Sequence, residues 1–239
     1  MGLQGQRVVV VGGTSGIGLA VAEGAAREGA RVVVASRRQE SVDAALKVLP
    51  EDAEGQVLDA TDEDAVRAFF TGIGEYDHLV YTAGESILLE TVADTDIATA
   101  RGFLDTRLWG AYAAVKYGVG SIRAGGSVVL TTGTAGRRPL PASSVASALC
   151  GAMESLTRAL AVELAPVRVN AVSPGLVRTG LWRGLPEAGR EELFRSSAES
   201  LPVGRMGEPA DVAEAYLYLM RGGYSTGSVV VVDGGGTLV

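Results

Sequence analysis

The stretch Val11-Gly12-Gly13-Thr14-Ser15-Gly16-Ile17-Gly18 decides the fold. It follows Arg7 to Val11, a basic residue and four valines, and leads into a segment of helical period over 16–28. Glycines between a strand and a helix let the backbone turn tightly and approach a pyrophosphate. The exposed amides and positive end of the helix then hold the anion. Glycine clusters also occur in ordinary turns, but this one follows the first strand and opens the first helix of a βαβ unit. Gly12, Thr14, Ser15, Gly16, Ile17 and Gly18 are therefore candidate dinucleotide-binding residues.

Outward from this turn the pattern repeats. Apolar, valine-rich runs at 31–35, 55–58, 78–82, 127–131, 167–172 and 228–232 alternate with stretches of helical period at 39–48, 63–71, 96–123, 144–164, 187–197 and 209–220. Runs apolar on both faces are the signature of buried parallel strands, and strands alternating with helices imply right-handed crossovers. The expected fold is α/β, a doubly wound seven-stranded parallel sheet in one domain spanning 1–239. A less regular region at 180–207, rich in Gly, Pro and charge, is expected to cover the ligand crevice as an insertion.

The second run ends at Ala35 and continues Ser36-Arg37-Arg38. A carboxylate at this edge would accept hydrogen bonds from ribose hydroxyls and repel a 2′-phosphate. Ser36 followed by two guanidinium groups favours the phosphate. Two arginines opening a helix oppose its dipole unless an anion lies there. NADP(H) is the expected cofactor.

Composition narrows the function classes. With 47% apolar residues the chain has enough material for a continuous core, and its net charge of −7 carries no basic cluster for nucleic acid or anionic lipid. One cysteine, Cys150, excludes an intrachain disulfide. The polar start and the apparent lack of an apolar run of membrane length suggest a cytoplasmic chain. The single His78, at the entry to a strand, reads as a packing or surface residue, so no metal site is expected.

Together these residues resemble the short-chain dehydrogenase/reductase family along essentially the whole chain. The glycine motif is similar to TGxxxGIG with Val11 for the threonine, and Leu58-Asp59, followed by Ala60, resembles the third-strand segment that holds adenine. Tyr81-Thr82-Ala83-Gly84 occupies the NNAG slot. Leu156 to Pro166 and Arg168 to Gly175 follow the family's wording, and Pro174-Gly175 with Val177 and Thr179 resembles the PGxxxT segment beside the nicotinamide. Asp233-Gly234-Gly235 matches the usual ending. The resemblance implies a Rossmann fold, cofactor contacts at Asp59, Ala60, Ala83, Gly84, Pro174, Gly175, Val177 and Thr179, and a homo-oligomer, dimer or tetramer.

It also implies four catalytic side chains, and their slots hold something else. The asparagine slot is Arg107, the serine slot Gly133, the tyrosine slot Ala146 and the lysine slot Cys150. The interval from Gly133 to Ala146 fits the family's serine-to-tyrosine spacing, which fixes the alignment. Two functions follow. One is an NADP(H)-binding oxidoreductase acting, if at all, on a carbonyl or alcohol by altered catalysis. The other is a pseudoenzyme that senses the cofactor or serves as the inactive partner of an active relative.

Substitute catalysts are few. Tyr81 is placed at the crevice edge of the fourth strand, where its phenol either fills space left by smaller neighbours, the favoured reading, or reaches a substrate. Arg107, a permanent cation, either binds a carboxylate or polarises a carbonyl, or pairs with an acid of its helix or of a neighbouring chain. Strand alternation is expected to turn Thr132 and Thr134 away from the direction of residue 133. The hydroxyls of Ser143, Ser144 and Ser147 are too weakly acidic to act alone, and Cys150 reads as an inert thiol with no basic neighbour on its helix.

Overall fold

The computed structural model describes residues 2–84 and 87–239. Seven parallel strands, β1 (Arg7–Val11), β2 (Arg31–Ser36), β3 (Glu54–Val57), β4 (Tyr76–Tyr81), β5 (Ile122–Thr131), β6 (Arg168–Pro174) and β7 (Val229–Val232), lie in the order β3-β2-β1-β4-β5-β6-β7. The chain winds outward from β1 to β3, then returns to β1's other side at β4. That reversal opens a crevice at the carboxyl ends of β1 and β4.

Side chains alternate across the sheet as the strand period requires. Val9 and Val11 of β1 face a layer that includes α3 (Glu63–Gly72), α5 (Gly110–Gly118) and α6 (Ser144–Glu163). Val8 and Val10 face the opposite layer, with α1 (Gly16–Arg27), α2 (Gln39–Leu46) and α8 (Pro209–Arg221). All four valines are buried. Helix α3 starts at a cap that its sequence supplies, since the Asp62 carboxylate accepts from the amides of Asp64 and Ala65.

Several boundaries differ from the sequence reading. Strand β3 begins at Glu54 and β5 already at Ile122, where the register against β4 shifts between Tyr76 and His78 and Gly125 takes a φ of +86°. The single helix expected over 96–123 is interrupted. Helix α4 (Ile97–Leu104) passes into a π-helical turn, Asp105–Trp109, before α5 starts. The region 180–207 is built rather than irregular, with a 3-10 turn at Gly180–Trp182 and helix α7 (Glu187–Ser200).

Contrary to the reading of the apolar runs, α6 is long and apolar enough by length and composition to cross a bilayer. Its Leu149, Met153, Leu160 and Ala161 are instead buried in the core beneath β4, β5 and β6. His78 is a buried packing residue of β4. Its Nδ1 pairs with the Ser127 hydroxyl at 2.9 Å and its Nε2 with Gln6 Oε1 at 3.0 Å, and burial lowers its pKa to about 4.

Candidate functional site

The site is built where the strands end level. The ladder runs one residue past the strands: the Gly12 amide donates to the Ala35 carbonyl at 2.8 Å, and the Thr82 amide to the Val11 carbonyl at 2.8 Å. This presses the β1 and β4 turns together. A Cβ at Gly12 would lie 2.5 Å from the Ala83 nitrogen, and the residue's φ of +86° also favours glycine. A Cβ at Gly18, in the first turn of α1, would strike the Gly12 carbonyl and the Thr82 hydroxyl. Ser15 precedes α1 with extended dihedrals and no side-chain cap, and the first turn carries no acid. The amides there are presented to an incoming anion.

On the β2–β3 side, the Leu58 amide donates to the Ser36 carbonyl at 2.9 Å. Asp59 accepts from the Thr61 amide at 2.9 Å and hydroxyl at 2.7 Å. Those bonds, with the charge of Arg37, hold its carboxyl below the usual carboxylate range. The structure thus brings Arg37 and Asp59 together at one corner of the crevice, with Arg38 as the residue before α2. Ala60 is buried, and its carbonyl lies 2.8 Å from where a Cβ on Gly110 would stand.

The far wall comes from β6 and the segment after it. The Gly175 amide donates to the Val232 carbonyl at 2.9 Å, and a Cβ there would sit 2.6 Å from that of Asp233. The buried Val177 bridges to Gly207, which closes the base of the α7 region. The Trp182 indole donates to the Val177 carbonyl at 2.9 Å. Thr179 caps the 3-10 turn and approaches Gly16, 3.4 Å from where a Cβ on that glycine would be. The segment leading to α7 is thereby held against the β1–α1 turn.

The four catalytic slots converge on the β4–β5 side. Gly133 follows β5, and a Cβ on it would be 3.2 Å from the Cys150 sulfur. Ala146 lies one helical turn before Cys150 on α6 and is buried. Arg107 arrives from the π-helical turn. Its guanidinium lies against Gly84, where an added Cβ would collide with it, and 4.8 Å from the Phe103 ring centre.

Three readings gain their surroundings, and the one for Thr132 requires correction. Tyr81 does not open into the crevice: it is 2% exposed, its hydroxyl donates to the Thr106 carbonyl, and burial raises its pKa. Thr132 is not turned away from slot 133, because β5 ends at Thr131 and strand alternation ends with it. Its hydroxyl donates to the Cys150 carbonyl at 3.0 Å. The Cys150 thiol is pushed upward by burial, which outweighs the charge of Arg107 from the π-helical turn and agrees with the inert-thiol reading. Thr134 begins a 3-10 turn, Thr134–Gly136.

The serines form a different feature. Ser143, Ser144 and Ser147 line a cavity of about 340 Å³ with Thr91, Val92, Pro139, Leu140 and Ala142. Ser143 Oγ donates to the Leu140 carbonyl at 2.6 Å and lies 3.3 Å from Ser147 Oγ. Sequence reading missed this wall, which needs two loops brought together. It also passed over a Tyr-x-x-x-Lys string, Tyr112 to Lys116 on α5. That pair belongs to the outer face: Lys116 bonds Glu63 of α3 at 2.8 Å, and the exposed Tyr112 stacks edge-on against Trp109 at 6.4 Å.

Comparison with known proteins agrees with this architecture. A family model described as enoyl-(acyl carrier protein) reductase matches residues 11–237. The chain is 35% identical to the short-chain dehydrogenase/reductase ATR9 of Stachybotrys chlorohalonatus, over 99% of this chain and 98% of that protein. It is 35% identical to galactitol 2-dehydrogenase (L-tagatose-forming) of Cereibacter sphaeroides, over 99% and 96%. A solved small-chain dehydrogenase in complex with NADPH superposes with a TM-score of 0.87 at 36% identity, covering 99% of this chain and all of that one (100%). The sheet order, the glycine-lined crevice and these full-length similarities place the chain in the short-chain dehydrogenase/reductase family of oxidoreductases.

Proposed function

We propose that this chain binds NADP(H) and that any hydride exchange it performs with a carbonyl or alcohol proceeds without the family's Ser-Tyr-Lys acid/base set. The cofactor reading rests on a close approach of the β1 and β4 turns that only glycine permits: a Cβ at Gly12 or Gly18 would strike atoms of the turns themselves. In this reading Gly12, Thr14, Ser15, Gly16, Ile17 and Gly18 hold the pyrophosphate, and Ser36, Arg37 and Arg38 take the 2′-phosphate. Asp59 and Ala60 flank the adenine. Ala83, Gly84, Pro174, Gly175, Val177 and Thr179 line the nicotinamide half. A relative that holds NADPH supports the choice of phosphorylated cofactor.

A bound nicotinamide supplies or accepts the hydride. The chain's own contribution is where it departs from the family. The observation that carries this reading is the contact of Gly133 with the Cys150 sulfur beside the buried Ala146. At these positions there is no hydroxyl to polarise an oxygen and no phenol to move its proton. General acid–base catalysis contributes about 10²–10⁴-fold, so its loss slows hydride transfer without forbidding it. Arg107, a charge that does not titrate, remains to polarise or orient a substrate oxygen.

A second reading, a non-catalytic subunit, draws on the outer face of α5 and α6, where Trp109, Tyr112 and Val162 are exposed. Such a face suits a copy of this chain or an active relative. Steady-state assays with NADPH across ketone and acyl-thioester panels separate the two. Slow turnover whose kcat at saturating NADPH is abolished by Arg107→Ala supports altered catalysis. No turnover, together with a dimer or tetramer by light scattering, supports the subunit. Turnover at ordinary family rates rejects both.

A further inference from the structure

We propose that Arg107 is the residue that grips the ribose of the nicotinamide half, delivering from the turn between α4 and α5 a cation that α6 does not supply at Cys150. The inference rests on the cofactor reading above and extends it to one side chain.

Topology sets the direction in which the cofactor lies. A dinucleotide spans the switch point of a doubly wound sheet, one nucleotide on each side of the first helix's N-terminus. The Arg37 and Asp59 corner lies beyond β2 and β3, so the second ribose falls on the β4 side, over Gly84 and toward α6. The Arg107 guanidinium lies against the Gly84 backbone, with the Phe103 ring at 4.8 Å on another side. Its charge also reaches the Cys150 thiol of α6 and the Tyr81 phenol of β4.

Local structure explains how it gets there. In a regular helix, position 107 would follow the face set by α4. The π-helical turn Asp105–Trp109 accommodates an extra residue per turn and so shifts position 107 off that face, and such turns are frequent at functional sites. Gly84 accommodates it, because any side chain there would occupy the guanidinium's place. Tyr81 braces the turn by donating its hydroxyl to the Thr106 carbonyl. The guanidinium is a planar fork of donors, which suits the two neighbouring hydroxyls of a ribose. The pyrophosphate is already provided for by the α1 amides.

Two probes that differ by a single sugar isolate the contact: 2′-phospho-ADP-ribose carries the second ribose, and 2′-phospho-ADP ends at the pyrophosphate. Calorimetric titration of wild type and Arg107→Ala with each gives the answer. Arg107→Ala is expected to weaken 2′-phospho-ADP-ribose about tenfold, the loss of a charged hydrogen bond, and to leave 2′-phospho-ADP within about twofold. Arg107→Lys should retain part of the lost affinity. Equal weakening of both probes, or no weakening of either, overturns the assignment. Should Arg107→Ala fail to fold, the same selectivity is read from Arg107→Gln, where unchanged affinity for both probes rejects the assignment. Wild type that binds neither probe refutes the cofactor reading itself, a result distinct from failure of the Arg107 contact.

Discussion

The β1–β3 side of the crevice and the β4–β5 side share one sheet and one edge, yet they diverge in chemistry. On the first side every demand is met by backbone and charge: Gly12 and Gly18 leave room, the start of α1 presents amides, and Arg37 stands beside Asp59. On the second, Ala146 and Cys150 are small buried side chains of α6, a Cβ on Gly133 would lie 3.2 Å from the Cys150 sulfur, and the Arg107 guanidinium lies against Gly84. Phosphate recognition and proton transfer are thus separable in this fold. The first is written into turns that also hold the sheet together, while the second depends on a few side chains at the end of β5 and on α6.

The most severe test of that contrast rebuilds the second side. Gly133→Ser, Ala146→Tyr and Cys150→Lys, combined with Arg107→Asn, should raise NADPH-dependent ketone reduction by about 10²–10⁴-fold over wild type, the usual contribution of acid–base catalysis. Assay at saturating cofactor checks it. A folded quadruple variant that binds NADPH but gains nothing would show that the site has diverged beyond these four positions. Next in size, Gly18→Ala drives a methyl group into the Gly12 carbonyl and the Thr82 hydroxyl. Overpacking of this kind should cost NADPH about 100-fold in affinity by fluorescence titration. Wild-type binding would mean that the two turns are not the cradle.

The chemistry side also makes a negative prediction. Cys150 is buried and its thiol is raised by that burial, so at pH 8 iodoacetamide should modify it at least about tenfold more slowly than free cysteine. Fast labelling would reveal an activated thiolate and a different chemistry. The smallest effect belongs to the misplaced motif. Tyr112→Phe and Lys116→Ala, on the outer face of α5, should leave NADPH affinity unchanged and the melting temperature within about 2 °C of wild type.

How much of this was legible before folding depended on which force fixed each residue. The glycine turn, the strand runs and the Ser36-Arg37 edge could be read because backbone geometry dictates the residue type at each position. The substituted slots could be read because the family resemblance, with its serine-to-tyrosine interval, locates them. Arg107's reach could not, since the π-helical turn that aims it leaves no periodic mark, and a long side chain ends far from its own backbone. The packing role of Tyr81 was legible but its partner was not: a strand end names an edge, and the Thr106 carbonyl that accepts from the phenol lies on another element. Thr132 faces α6 because the strand stops one residue earlier. Tyr112 and Lys116 carry a motif's spacing without its place, and only the fold puts that pair on the outer surface.

His78 gives a separate pH signature for the scaffold shared by both sides. Its folded-state pKa of about 4 lies below the ordinary 6.5, so the unfolded chain binds the extra proton first as pH falls. The stabilisation is whole above about pH 6.5 and fades toward pH 4, on the order of 3 kcal/mol across the window. Urea unfolding at pH 7 and pH 4.5 checks this, and His78→Gln should flatten that part of the dependence.

The central claim is that nucleotide binding persists although the catalytic set does not, and isothermal calorimetry with NADPH and NADH tests it most directly. Wild type should bind NADPH about 10- to 100-fold more tightly than NADH, and Arg37→Ala should bring the two together, as loss of a guanidinium–phosphate pair requires. Equal affinities in wild type, or no heat with either nucleotide, would contradict the account.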